Sequence, residues 1–321
     1  MTNSRLFSRP RGLQWLLLIC LCVLATGMAW AQSTPPISAF VSILPQKQML
    51  ERVGGNLVQV QVLVQPGQSP HSYEPTPKQM VELARASVYF RVGVAFENVW
   101  AKKIQQAHPK LKMVDTRQGI KLRAMTPAAH LHDEHEHEHE HHDHHPDEKH
   151  EHEGHTHHDG ELDPHIWTTP LLVKQQALNM RNALIQLSPQ HKTQFEAGYA
   201  AYAAELDQLH QELNNKLSKT KSKRFMVFHP VWGYLADAYG LQELAIEVEG
   251  KEPSPKTLAL IINKAKAENI RVVFVQPQFS QTAAQQVARS IKGRVVTIDP
   301  LAEDVIGNLR QVGTTLAQAL Q

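Results

Sequence analysis

Two α/β lobes with parallel sheets, joined by one long helix, are what this sequence predicts, and three observations carry it. Short apolar runs alternate with helical patterns over residues 37–114 and again from 225 onward, without tight-hairpin signals between successive runs. Between those stretches the pattern over 189–216 is continuously helical: Phe195, Tyr199, Tyr202, Leu206, Leu209 and Leu213 recur at three- and four-residue spacing. At 1.5 Å per residue that helix is roughly 40 Å long, enough to cross a whole domain. Finally, the roughly 290 residues that follow an N-terminal leader exceed the usual size of one compact domain and suit two.

In chain order, the apolar run 37–44 reads as a strand, 46–53 as a helix, 58–64 as a strand, 77–85 as a helix, 88–92 as a strand, 96–107 as a helix and 111–114 as a short strand. A helix over 170–187 precedes the long one. The rhythm then resumes with a strand at 225–228, a helix at 232–239, a strand at 243–248 and a helix at 254–268 that starts at a Ser254-Pro255 N-cap. A strand at 272–275, a helix at 282–291, a strand at 295–298 and a helix over 302–320 complete the chain. Paired Gly-rich or Ser-rich crossovers, which would mark flexible hinge strands, are missing from the sequence. The expected organisation is a leader at 1–31, an N-terminal lobe at 32–186 with an insert at 128–161, a linking helix at 187–220 and a C-terminal lobe at 221–321.

Arg5, Arg9 and Arg11 precede an apolar stretch at 13–25 and the triplet Ala29-Trp30-Ala31, the pattern of a cleaved signal peptide with the mature chain starting near Gln32. An uncleaved membrane anchor is the alternative. Cys20 and Cys22, the two cysteines of the chain, both lie inside the leader, after Ile19 and Leu21, which are too large for a good lipoprotein cleavage site. The mature protein is therefore expected to contain no disulfide and no thiolate, so His, Asp and Glu are left to bind any metal. No other run approaches the length of a membrane span, and a soluble exported protein is expected.

Fourteen of the 20 histidines fall within 29 positions: His130, His132, His135, His137, His139, His141, His142, His144, His145, His150, His152, His155, His157 and His158. Imidazole is a favoured ligand for borderline transition metals, and the interleaved carboxylates add oxygen ligands and negative charge. So polar a segment cannot bury enough apolar surface to fold alone, which predicts a disordered, metal-handling loop. The bland alternatives are a solubilising linker or a tag; an internal position mixed with acids argues against a tag. Residues 130–161 hold twelve acids against one lysine, whereas the body without leader and tract holds 29 basic and 19 acidic residues. An acidic insert beside a basic body can lie back on its own protein; nothing interleaves bases with aromatics as a nucleic-acid surface would.

Six histidines lie elsewhere. His108, His191 and His210 sit on polar helical stretches and read as solvated surface residues. His71 in GQSPHSYEPTP, His165 in DPHIW and His229 in VFHPVWGY lie at strand ends or in Pro-marked loops, where α/β folds gather ligand residues. Asp299 in VVTIDPL directly follows a strand. Three imidazoles and one carboxylate would close a tetrahedral zinc site without sulfur. Spacing alone does not make the four converge, because histidines flanked by Pro and aromatics often serve packing. Tyr73, Glu74, Trp167 and Trp232 read as packing or loop residues rather than partners that orient imidazoles, and Glu247, Glu249 and Glu252 as a solvated loop.

SPHSYEPTPKQM, DPHIW, FHPVWGYLADAYGL, EGKEPSP, QPQFS and IDPL, in that order and over nearly the whole mature length, resemble the metal-specific substrate-binding proteins of ABC transporters, zinc-uptake ZnuA type. Each motif occurs once, and the acidic His-rich insert lies just before DPHIW, as in zinc members. The resemblance implies two Rossmann-like lobes bridged by one rigid helix, with the metal in the cleft: His71 and His165 from the N-terminal lobe, His229 and Asp299 from the C-terminal lobe. Manganese members carry a carboxylate where His229 stands, so imidazole there tilts the choice to Zn²⁺, with Mn²⁺ as a weaker competitor. Zinc members also use water, or an acid beside the first histidine, as fourth ligand; Pro70 precedes His71 here, which favours Asp299. The C-lobe disulfide common in zinc members is missing.

The function so implied is a periplasmic, monomeric, high-affinity zinc receptor that hands Zn²⁺ to a membrane ABC permease and performs no chemistry on it. A receptor shared between zinc and manganese is the nearest alternative. A secreted zinc hydrolase is the rival class, but there is no H-E-x-x-H, no G-x-S-x-G and no general base in a matching context. A zinc buffer acting through the tract alone would leave the paired lobes and three motif histidines unexplained.

Overall fold

Four parallel strands from the first half of the chain and four from the second make two separate sheets with the same strand pattern. The computed structural model describes residues 35–125, 162–247 and 251–321. In the N-terminal lobe, β1 (Ile37–Val41), β2 (Val58–Val62), β3 (Val88–Arg91) and β4 (Lys112–Asp115) assemble in the order β2-β1-β3-β4. In the C-terminal lobe, β5 (Arg224–Val227), β6 (Gln242–Ala245), β7 (Val272–Val275) and β8 (Arg294–Thr297) assemble as β6-β5-β7-β8. The order reverses between β1 and β3 in one sheet and between β5 and β7 in the other. In such folds ligands bind beyond the carboxyl ends of the strands at that switch point.

Helices α1 (Leu44–Gly54), α2 (Pro77–Leu83), α3 (Ala95–Ala107) and α4 (Pro170–Leu187) belong to the first half; α6 (Gly233–Ala238), α7 (Pro255–Ala267), α8 (Thr282–Ser290) and α9 (Val305–Ala319) to the second. Between them α5 runs from Lys192 to Leu217 after a 3-10 turn at Pro189–His191. The expected helix over 189–216 thus begins as a tighter turn, with the α-helix proper starting at Lys192. Phe195, Tyr202, Leu206, Leu209, Leu213 and Leu217 form its buried stripe, and it packs against α1, α4 and α9, elements of both halves. Gly198 permits the close approach to α1, since a Cβ there would stand 2.5 Å from the Val53 carbonyl oxygen. On the same contact Arg52 pairs with Glu205 and lies 5.0 Å over the Tyr202 ring.

One apolar core is continuous from the N-terminal sheet through α5 into the C-terminal sheet, and a second cluster fills the far face of the C-terminal sheet under α7 and α8. The expected first strand, 37–44, is shorter: Pro45 sits in the first turn of α1 and Ile43 is its extended N-cap residue. Among the described residues no helix is long and apolar enough to cross a membrane.

Candidate metal centre

Strand register sets up the C-terminal half of the site. Val227, the last residue of β5, pairs with Ala245 on β6 and Phe274 on β7. Two residues further along each chain stand His229, Glu247 and Gln276, so three side chains meet at the same level beyond the sheet. Gln276 donates from Nε2 to the His229 carbonyl at 2.7 Å and accepts from the His229 N–H at 3.3 Å, fixing that residue's backbone. His229 Nδ1 lies 2.5 Å from Glu247 Oε1, both side chains 5% exposed, and Phe279 stacks on the imidazole with ring centroids 4.8 Å apart.

His165 enters from the N-terminal half, as the cap of a 3-10 turn at Ile166–Thr168 that leads into α4. Asp163 Oδ1 accepts both the His165 backbone N–H at 2.9 Å and the ring Nδ1–H at 2.8 Å. Trp167 packs edge-on against the imidazole and donates its indole N–H to the Pro300 carbonyl at 2.8 Å, a tie between the two halves. His71 comes from the loop after β2, exposed as a residue but with its ring turned into the cleft, 3.0 Å from His229 in Nε2–Nε2 distance.

One ligand atom from each of His71, His165 and His229 lies within 4.8 Å of the others. With Nδ1 of His165 and of His229 held by carboxylates, Nε2 is the free lone pair on each, the arrangement in which an outer carboxylate fixes tautomer and ring angle for a metal ligand. Two nitrogens bound at about 2.0–2.1 Å in a tetrahedron stand about 3.3 Å apart, close to the His71–His229 spacing. The cavity they share is about 30 Å³ in volume, room for one small ion, walled by Pro70, Val94, Trp167, Val231, Phe279 and Leu301. Burial lowers the His71 pKa to about 3, with help from the neighbouring His229 and His165, and burial likewise lowers that of His229 against the opposing pull of Glu247. These imidazoles are held neutral, as ligands must be.

Asp299 is not brought into this cluster. It is half-buried, and its Oδ1 accepts from Gln278 Nε2 at 3.0 Å and Leu301 N at 2.9 Å while its carbonyl accepts from Asn308. The fourteen tract histidines lie outside the described residues, although Ala124 and Leu162 on either side of the insert form an antiparallel bridge. His108, His191 and His210, expected to be solvated, are half-buried: His191 Nδ1 lies 2.8 Å from Ser188 Oγ, and His210 Nδ1 lies 3.2 Å from Tyr239 Oη. Glu247, read as part of a solvated loop, is instead buried behind His229, because the chain continues past β6 alongside Phe228. Asp163 was visible only as the acid two places before His165. Of the neighbours read as packing residues, Tyr73, Trp167 and Trp232 are buried and Glu74 is exposed.

Two sheets of one strand order, a long helix packed on helices of both halves, and a histidine cluster drawn from both halves define a two-lobe solute-binding receptor. The chain belongs to the family described as zinc-uptake complex component A, periplasmic (ZnuA), which matches it over residues 40–319. It is 28% identical over 289 residues to the high-affinity zinc uptake system protein ZnuA of Yersinia pestis, covering 88% of this chain and 90% of that protein. A crystal structure of ZnuA is 37% identical with a TM-score of 0.78, covering 89% of this chain and all of that one. A deletion mutant of ZnuA with zinc bound is also 37% identical, with a TM-score of 0.76 over 89% of this chain and 98% of that one.

Proposed function

We propose that this protein is an exported, periplasmic zinc receptor that delivers Zn²⁺ to an ABC-type importer. The observation that carries the reading is the meeting of three imidazoles in an ion-sized, apolar-walled cavity, two of them backed by buried carboxylates. His71, His165 and His229 bind the ion, and Asp299 or a water molecule takes the fourth position. Three neutral ligands leave the charge of the ion whole, and the carboxylates of Asp163 and Glu247, one hydrogen bond behind two of them, offset it. The names of the relatives, zinc-uptake proteins, agree with this donor set.

The ion is cargo. Binding rather than hydrolysis fits a cavity of about 30 Å³, which has room for the ion and a water but not for a substrate beside them. The signal-peptide pattern at 1–31 directs export, the His-rich tract supplies weaker auxiliary sites, and the receptor works as a monomer against its permease. In a strain without another zinc importer, His229→Ala is expected to abolish growth under strong chelation, with growth restored by added zinc. Normal growth of that strain under chelation contradicts the proposal.

A further inference from the structure

His229 explains only the start of FHPVWGYLADAYGL; the residues after it converge on a different point. Asp163 N donates to the Arg123 carbonyl at 2.9 Å beside the Ala124–Leu162 bridge, so the chain entering the His-rich insert and the chain leaving it are tied side by side. Asp163 holds His165 through Oδ1, and its Oδ2 faces Arg123 Nη1 at 3.3 Å. The same guanidinium reaches the C-terminal half: Arg123 Nε lies 3.0 Å from Asp237 Oδ2 on α6, and the guanidinium carbon lies 5.9 Å from the Tyr234 ring centroid. Tyr234 Oη donates to the Asp163 carbonyl at 2.8 Å and accepts from Arg123 N at 3.2 Å. Space for this exists because residue 233 is glycine; a Cβ there would stand 1.5 Å from Arg123 Nη1 and 3.1 Å from Asp163 Oδ2.

We propose that Arg123 is a positioning residue for the metal centre. Through Asp163 it fixes the ring of His165, and through Tyr234 and Asp237 it ties that ring to the half of the molecule that carries His229, so that zinc leaves slowly. The inference rests on the three-histidine reading of the site. His165 caps a 3-10 turn in the N-terminal half and His229 follows β5 in the C-terminal half, so their separation depends on bonds between the halves. Others exist, such as Lys47 with Glu303 at 2.5 Å, but that pair touches no carboxylate behind a ligand. Asp163 is 1% exposed and Asp237 60%, so the buried arm carries most of the effect and the solvated arm adds orientation. An arginine fork can serve two carboxylates at once, whereas a lysine offers a single point charge.

The test compares Arg123→Gln, Arg123→Lys and Gly233→Ala in the full chain with Lys47→Met as a control for loosening the halves elsewhere. Gly233→Ala keeps every named side chain and acts chiefly on the guanidinium, its Cβ meeting Arg123 Nη1 at 1.5 Å while only crowding Asp163 Oδ2 at 3.1 Å. Two quantities are read: the slow phase of zinc loss to excess EDTA, and the visible bands of protein loaded with one equivalent of Co²⁺, which report ligand geometry. Arg123→Gln and Gly233→Ala are expected to speed the slow phase about tenfold, at the lower end of the effect of losing a partner that orients a ligand, and to shift the Co²⁺ bands. Arg123→Lys should fall between them and the parent, and Lys47→Met should change neither readout. Unchanged rates and bands in both Arg123→Gln and Gly233→Ala overturn the proposal, as does an equal change in Lys47→Met. Absence of any slow phase in the parent would instead sink the three-histidine reading itself.

Discussion

Replacing Glu247 by glutamine removes a charge from behind His229 while keeping the hydrogen bond. The amide oxygen can still accept from Nδ1–H, so tautomer and ring angle survive, and what changes is the field at Nε2. An ion on Nε2 stands about 6.5 Å from the carboxylate, adding a metal bond of about 2.0 Å to the width of the ring and the 2.5 Å hydrogen bond. At an effective dielectric of about 20, a divalent ion and a unit charge at that separation attract by about 5 kcal/mol. Desolvation of the carboxylate and the dipole kept by the amide reduce the difference. The expected loss is 10–100-fold in zinc affinity, about 1.4–2.7 kcal/mol. Competition with a fluorescent chelator at neutral pH measures it, with Glu247→Ala expected to lose more because Nδ1 is then left unpaired. If Glu247→Gln binds zinc as tightly as the parent while His229→Ala does not, the carboxylate plays no part in holding the ion.

Three further outcomes follow from the same geometry. His71 and His229 are neutral in the metal-free fold but have unfolded pKa values near 6.5, so between about pH 6.5 and pH 3 the unfolded chain binds more protons and stability falls as pH drops through that window. Urea titrations should show His71→Ala with a shallower decline than the parent; identical slopes would refute the assignment. Glu243, whose pKa burial pushes up to about 8, keeps its proton in the fold above the unfolded value of 4.5, so its contribution to stability is lost as pH rises from there to 8. Glu243→Gln should therefore be more stable than the parent above pH 8, which the same titrations would reveal, and a less stable variant would show that the carboxylate form is the one the fold needs. Asp299→Ala should weaken zinc binding less than alanine at any of the three histidines, and an equal loss would make Asp299 a full ligand.

The alternation of strand and helix was legible because both halves mark their boundaries chemically. α4 was read at its observed bounds since Thr169-Pro170 opens it and Ser188-Pro189 follows it. Element ends are not legible where apolar residues run past the last ladder bond. The run 243–248 reads as one strand, yet β6 stops at Ala245 and the chain leans onto Phe228 instead. That short overrun hides the burial of Glu247: its position depends on the register of β5 against β6, a long-range property that no local pattern encodes. Motif histidines were legible as candidates, but their convergence needs both sheets in place. Asp299 follows a strand as expected, yet Gln278 and the Leu301 N–H claim its carboxylate oxygen in the turn. Arg123 carries no sequence signal, because its meaning comes from Gly233, more than a hundred residues away.

The central claim is that one zinc ion sits on His71, His165 and His229. Its most direct test is a Zn²⁺ titration, against a competing chelator, of the chain lacking residues 130–160, with X-ray absorption on the loaded protein. One tight equivalent is expected, lost in His229→Ala, with three nitrogen neighbours at about 2.0–2.1 Å. Failure to bind a tight equivalent without the tract, or its survival in His229→Ala, would contradict the account.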